Sequence, residues 1–250
     1  MNTAIENDEI GGHHLGEKIE ELRISDLHAF YGEGHALHGI DMTVYQGELV
    51  TLLGRNGSGR TTTLRSIVGL IGKRTGSIVL KGKEVIDASP HVIAHLGVGY
   101  CPEERGIFAS LNVEENLMLP PTVAPGGMSL EEIYDMFPNL AERRKSQGTR
   151  LSGGEQQMLA MARILRTGAN VLLLDEITEG LAPVINDKLG EVLTQLKKRG
   201  YTILLVEQNF RFAAPLADRH FIMDHGHIVE TVHSYELEEK QSVFDQYLSV

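Results

Sequence analysis

Gly54-Arg55-Asn56-Gly57-Ser58-Gly59-Arg60-Thr61-Thr62 decides how this chain is read. Ahead of it, Glu48-Leu49-Val50-Thr51-Leu52-Leu53 is an apolar run of buried-strand length. Behind it, Thr63-Leu64-Arg65-Ser66-Ile67-Val68-Gly69-Leu70 reads as a helix. A glycine-rich turn between strand and helix lets backbone N–H groups and the helix N-terminus point at an anion. The spacing is that of the phosphate loop G-x-x-x-x-G-K-[S/T], with Arg60 at the lysine position. Lysine is a compact point charge, whereas arginine is longer, planar and forked, so the charge is kept while the fit changes. A glycine-rich turn with no ligand is the plain alternative for this stretch taken alone.

The totals narrow the class. At 250 residues the chain can bury a full core, and 42% apolar with 23% charged residues is ordinary for a globular protein. The formal net charge of −11, from 34 acids and 23 bases, argues against nucleic acid as a partner, which calls for a basic face. One cysteine, Cys101, excludes an internal disulfide and fits a reducing compartment. The N-terminus has no apolar signal core, and no run reaches the roughly 18–20 apolar residues of a membrane span.

Working outward, residues 1–18 read as a disordered acidic tail, with His13-His14 as exposed histidines rather than a metal site. Leu22–Leu27 and Gly39–Val44 alternate as half-buried antiparallel strands, with Phe30-Tyr31-Gly32 between them. Tyr31 suits either a purine stack or a turn. Further strands are expected at Thr75–Lys83, Leu96–Cys101, Val171–Glu176, Thr202–Val206, His220–Met223 and His227–Glu230. Ser89-Pro90 and Pro183 mark helix starts. From about 103 to 166 the chain changes to a helical character, with capping boxes at Asn112/Glu115 and Ser129/Glu132. Strands alternating with helices predict an α/β fold with a parallel core.

Two further stretches carry chemistry. An apolar strand ending in Asp175-Glu176 can hold Mg²⁺ through Asp175, with Thr61 as the second ligand, while Glu176 polarises an attacking water. Ser152-Gly153-Gly154-Glu155 is a serine-capped helix start that can bind a terminal phosphate, or simply a capping box. Two glycines at the first helical positions weaken a helix, and a closely approaching ligand would explain them. His220, His225, His227 and His233 are scattered and form no clear ligand set, and Cys101 reads as a small core residue.

In that order, the phosphate loop, Leu151-Ser152-Gly153-Gly154-Glu155-Gln156-Gln157 and Leu174-Asp175-Glu176 resemble the signatures of an ABC transporter ATPase subunit over about residues 19–250. Pro102-Glu103-Glu104-Arg105-Gly106-Ile107-Phe108, Glu179-Gly180-Leu181-Ala182-Pro183 and Leu205-Val206-Glu207-Gln208-Asn209 resemble one branch, the shorter ATPase of bacterial branched-chain amino-acid uptake systems. The resemblance implies a phosphate-loop NTPase core with an antiparallel β subdomain and an inserted α-helical subdomain, in one ATPase domain at 19–250. It implies ATP and Mg²⁺ as ligands, with Tyr31 on the adenine and Gly54, Asn56, Gly57, Ser58, Gly59, Arg60, Thr61 and Thr62 around the phosphates. It implies a second ABC ATPase packed head to tail, identical or not, whose nucleotide meets Ser152, Gly153, Gly154 and Glu155. Transmembrane permease subunits, and through them a substrate-binding protein, complete the expected assembly at the cytoplasmic face of the inner membrane.

Glu103 sits where such ATPases usually carry a glutamine that senses Mg²⁺, Gln208 where many carry a switch histidine, and Ala182 where an aspartate is common. These three are shared by the branch. Arg60 for lysine and Ile177 for the proline after Asp-Glu are not, and both touch the site built by this chain's own loop. The leading expectation is a hydrolysing importer subunit for branched-chain amino acids, or for related amides or urea. A nucleotide-binding scaffold that supports a partner ATPase, and an ABC ATPase acting on ribosomes or DNA, are the other classes considered.

Overall fold

The computed structural model describes residues 18–248; the expectations for the acidic tail and for His13-His14 lie outside them. β1 (Glu20–Tyr31) and β2 (Gly34–Tyr45) form a long antiparallel hairpin. Both strands outrun the alternating stretches that announce them. The reason is a register shift between Ile24 and Leu27, where Asp26 takes a left-handed φ of 48° and breaks the period of two. Tyr31 therefore ends β1 instead of lying in a loop.

β3 (Leu49–Leu53) runs into the glycine-rich turn and α1 (Arg60–Ile67). The helix starts at Arg60, three residues before the apolar pattern suggests, because Gly59 turns the chain at φ 110°. A Cβ at Gly59 would meet Leu37 and Met223 at 2.8 Å, so only glycine fits there. β4 (Lys73–Leu80) and β5 (Lys83–Glu84) complete a four-stranded sheet in the order β2-β1-β4-β5. α2 (Pro90–Ala94) begins after Ser89, whose hydroxyl pairs with His91 Nδ1 at 3.0 Å instead of capping the helix.

After β6 (Val98–Cys101) the chain passes through α3 (Val113–Met118), α4 (Leu130–Met136), α5 (Pro138–Glu142) and α6 (Gly153–Arg166). α3, α4 and α6 each start with a complete capping box, at Asn112/Glu115, Ser129/Glu132 and Ser152/Glu155. β7 (Val171–Asp175), α7 (Pro183–Lys198), β8 (Thr202–Glu207), α8 (Phe210–Ala213), β9 (Arg219–Asp224), β10 (His227–His233) and α9 (Gln241–Leu248) follow.

The second sheet has the order β10-β9-β3-β8-β7-β6, parallel from β9 to β6, with β10 antiparallel on β9. Every residue of β3, β7 and β8 is buried. Alternate side chains feed two cores. Leu172, Leu174, Ile203 and Leu205 join one, and Val171, Leu173, Leu204 and Val206 join the other. Burial on both faces is why these strands read as unbroken apolar runs. Each such side chain contributes about 1.5–3 kcal/mol on removal from water. The parallel register also sets the carboxyl ends of β3, β7, β8 and β6 along one edge. In open α/β sheets that edge is where ligands bind.

Candidate functional site

The glycine-rich turn after β3 lines a cavity of about 540 Å³, together with Glu103 beyond β6 and Glu176 beyond β7. Asn56, Gly57, Ser58, Gly59, Arg60, Thr61 and Thr62 all face it. Gly54 lies beneath, buried, where a side chain would run into the Met223 carbonyl and the Ser58 hydroxyl. Ser58 Oγ and Arg60 Nη1 are buried without a hydrogen-bond partner. Unpaired buried polar atoms are costly, and a polyphosphate in the loop would satisfy both. The loop therefore fits such a group.

Thr61 donates through Oγ1 to Asp175 Oδ1 at 3.1 Å, and Tyr100 donates through its hydroxyl to Oδ2 at 3.1 Å. Asp175 is fully buried, and burial raises its pKa against the pull of Tyr100 and Thr61. Burial and the Asp175 charge push the Tyr100 phenol above its usual value in turn. A hydroxyl and a carboxylate in contact at the end of the loop form an oxygen donor set suited to a hard divalent cation.

Glu176 is engaged on both oxygens. Oε1 accepts from Arg60 Nη2 at 2.7 Å and Oε2 accepts from Gln208 Nε2 at 2.9 Å. Arg60 Nη2 also donates to Asn56 Oδ1 at 3.3 Å. The Arg60 and Glu176 side chains are 3% and 10% exposed, so this is a buried ion pair. Burial pushes the Arg60 guanidinium below the usual arginine value, while Glu176, Asp175, Glu207 and Glu179 pull it back up. The Glu176 backbone is left-handed at φ 46°, and Ile177 behind it is 1% exposed in the core. Thr178 donates from its N–H (3.1 Å) and its hydroxyl (2.8 Å) to Glu207, a carboxyl that burial raises to about 7. The loop after β7 is thus tied to the end of β8.

Two groups of predicted site residues do not line this cavity. Tyr31, half exposed, lines a separate cavity of about 580 Å³ with Arg65 and Tyr100. It is the last residue of β1 and is not among the residues that line the phosphate-loop cavity. Ser152, Gly153, Gly154 and Glu155, expected at the nucleotide of a second ATPase, also lie outside this chain's own cavity. Glu155 is occupied locally, accepting from Ser152 N at 2.7 Å and pairing with Arg143 at 3.4 Å. Gly154 has a packing reason of its own: a Cβ there would meet Ile185 of α7 at 2.9 Å. No ligand is needed to explain that glycine. His35 and His38, which line the cavity, go unsignalled in the sequence, since a lone histidine on a strand says nothing of what lies across the sheet.

The ABC transporter family pattern matches residues 37–179. The chain belongs to the ABC transporter family. This ABC ATP-binding chain is 37% identical over 236 residues to the high-affinity branched-chain amino acid transport ATP-binding protein BraG of Pseudomonas aeruginosa, covering 91% of this chain and 99% of the relative. It is 32% identical over 216 residues to the lipopolysaccharide export system ATP-binding protein LptB of Haemophilus influenzae, covering 84% and 89%. Its fold matches the dimeric post-hydrolysis structure of the ATP-binding cassette MJ0796 bound to ADP and Pi, with a TM-score of 0.76 at 23% identity over 85% of this chain and 98% of that one. The phosphate-loop NTPase fold expected from the sequence is the fold observed. ABC membership also supports ATPase activity for the chain. Among the described residues no helix is long and apolar enough to cross a membrane.

Proposed function

We propose that this chain is the ATP-hydrolysing subunit of an importer for branched-chain amino acids or closely related substrates. The observation that carries the substrate class is the likeness to BraG along nearly the whole of both chains. LptB, also similar, is named for lipopolysaccharide export, so the substrate needs its own test. In this reading residues 19–250 act as one ATPase domain, with about 103–166 as its helical part. Ser58, Arg60 and the loop N–H groups hold the phosphates, and Thr61 and Asp175 hold Mg²⁺, with Glu103 beside them. The bound ion would neutralise charge on the β- and γ-phosphates. Glu176 orients and deprotonates water once Arg60 has released its oxygen to turn toward phosphate, and Gln208 keeps the carboxylate in place. Ser152, Gly153, Gly154 and Glu155, which lie outside this chain's own cavity, serve the nucleotide of a second ATPase packed head to tail. The pair would dock on permease subunits at the cytoplasmic face of the membrane. Reconstitution with the permease and binding protein, with leucine uptake and ATP turnover measured together, tests the reading. Turnover stimulated by lipopolysaccharide and not by the leucine-loaded binding protein would overturn it.

The Arg60–Glu176 pair favours a second reading, a subunit that holds ATP and turns it over slowly beside a faster partner. Arg60→Lys, with turnover resolved site by site, separates the two. Faster turnover at this chain's loop supports the slow-site reading, and unchanged turnover removes it.

A further inference from the structure

Tyr100 holds the buried carboxylate of Asp175 from outside the phosphate-loop cavity. Its place follows from the sheet. Tyr100 on β6 is paired with Leu173 on β7, and both pack into the same core. Side chains two apart on a strand share a face, so Leu173 and Asp175 project to the same side. Asp175 lies two residues further along β7, a rise of roughly 6.6 Å. The tyrosine ring spans that step, and its hydroxyl donates to Asp175 Oδ2 at 3.1 Å. A phenylalanine at 100 would fill the same core and leave that oxygen without its donor.

Among the described residues the Asp175 carboxylate accepts from two side chains, Thr61 on Oδ1 and Tyr100 on Oδ2, each at 3.1 Å. Asp175 is wholly buried, and a buried carboxylate needs such partners. The two donors differ in where they stand. Thr61 lines the phosphate-loop cavity, whereas Tyr100 lines the neighbouring one with Arg65. The Arg65 guanidinium, on α1, lies beside the phenol oxygen. A guanidinium offers only donors, so the phenol oxygen can only accept from Arg65, and its own proton is left for Asp175.

We propose that Tyr100 is a positioning residue of the divalent-cation site: it anchors Asp175 by Oδ2 and so keeps Oδ1 turned to Thr61 and the cavity. The proposal rests on the reading of Thr61 and Asp175 as the cation's ligands. In that reading the Thr61 oxygen is taken by the ion, and Tyr100 is the side-chain donor that stays with the carboxylate. Partners behind a metal ligand orient it, and their loss costs about 10–100-fold in metal affinity. Tyr100 does not line the phosphate-loop cavity. Its loss therefore falls on the affinity for the ion and spares nucleotide binding without metal.

The test uses Mn²⁺ as a spectroscopic stand-in for Mg²⁺. The whole chain, loaded with ADP, is titrated with Mn²⁺ and followed by electron paramagnetic resonance, for the wild type and Tyr100→Phe. ADP affinity with all divalent metal chelated is measured alongside. Expected are Mn²⁺ binding weakened about 10–100-fold in the variant and a metal-free ADP affinity equal to that of the wild type. ATP turnover gives a second sign: the variant needs more Mg²⁺ to reach half its maximal rate, and excess Mg²⁺ restores most of that rate. Tyr100→Met also lacks the hydroxyl and carries the same expectation, which keeps the test open if the phenylalanine variant misfolds. Unchanged Mn²⁺ affinity would overturn the proposal and leave the cation site standing. Loss of metal-free ADP binding together with Mn²⁺ binding would make Tyr100 a structural residue and overturn it as well. A wild-type ADP complex that holds Mn²⁺ no more tightly than free ADP would overturn both the proposal and the reading of Thr61 and Asp175.

Discussion

Replacing Glu176 with glutamine separates two roles of one carboxylate. In the nucleotide-free protein it is the partner of a buried guanidinium, 2.7 Å away, with side chains 3% and 10% exposed. At that distance and an effective dielectric of about 20 the attraction is about 6 kcal/mol. Desolvation of both ions offsets much of it, and burial is already the largest influence on Arg60, outweighing four nearby carboxylates. The intact pair therefore contributes little net stability, whereas breaking it strands a buried charge. Stranding costs about 3–5 kcal/mol for a fully buried pair. Asn56 Oδ1 at 3.3 Å stays available to Arg60, which places Glu176→Gln at the lower end, about 3 kcal/mol. For a domain of this size that is a fall of about 6–12 °C in melting temperature. A magnesium nucleotide gives the guanidinium a new anion, so the gap to wild type narrows when both are melted in its presence. Thermal unfolding with and without MgADP reads both effects. A glutamine variant that melts within about 2 °C of wild type without nucleotide would refute the reasoning, because Arg60 would then not depend on Glu176.

The remaining predictions concern the supports of the site. Ile177→Ala opens a cavity under Glu176 and lowers stability by about 2–4 kcal/mol in chemical denaturation, since Ile177 is 1% exposed. Ser152→Ala removes the cap oxygen that accepts from Glu155 N at 3.3 Å and costs about 0.5–1 kcal/mol of stability; a much larger loss of coupled ATP turnover than of stability marks its role toward the partner's nucleotide. His220 is buried, with Nδ1 2.7 Å from Thr51 Oγ1 and a pKa pushed down from 6.5 to about 4. Its folded value lies below its unfolded one, so up to about 3 kcal/mol present above pH 6.5 is lost as pH falls toward 4, and His220→Phe flattens that part of the melting curve. Glu207 runs the opposite way. Its folded value is raised to about 7 from 4.5, so its contribution is complete below pH 4.5 and lost as pH rises through 7. Glu207→Gln removes that slope.

What can be read from the sequence follows from which interactions are local. β3 and β7 are legible because both faces are buried and the apolar run is unbroken. The capping boxes are legible because donor and acceptor are three residues apart. The hairpin is legible only in shortened form, because the register shift at Asp26 destroys alternation without ending the strand. Tyr31 is assigned to the adenine by resemblance alone; in the structure it ends β1 and lines the neighbouring cavity. The glycine at 154 invites a ligand, yet the contact that requires it is Ile185, 31 positions along the chain by numbering and invisible to spacing rules. The nearness of His28, His35, His38 and His227 is hidden for the same reason, since they come from β1, β2 and β10 and meet only through pairing.

The two departures from the family pattern are legible as departures but not as a pair. In space they act on one residue from opposite sides. Arg60, at the first position of α1, reaches across to the end of β7 and occupies one oxygen of Glu176. The two N–H groups of Nη2 let that one nitrogen bond Asn56 as well, and the side chain's length spans a gap that a shorter ammonium stem would meet in a different place. Ile177 fills the core directly behind Glu176, where the next residue, Thr178, is held by Glu207. The backbone of Glu176 is thereby anchored at φ 46° while its carboxylate is held from the front. Restoring lysine at 60 alone releases the front and leaves the anchor. Restoring proline at 177 alone changes the anchor and leaves the ion pair. If both positions act through Glu176, their effects on turnover are non-additive in a double-mutant cycle, as contacts sharing one partner are. Additive effects would mean that the two substitutions are independent of each other.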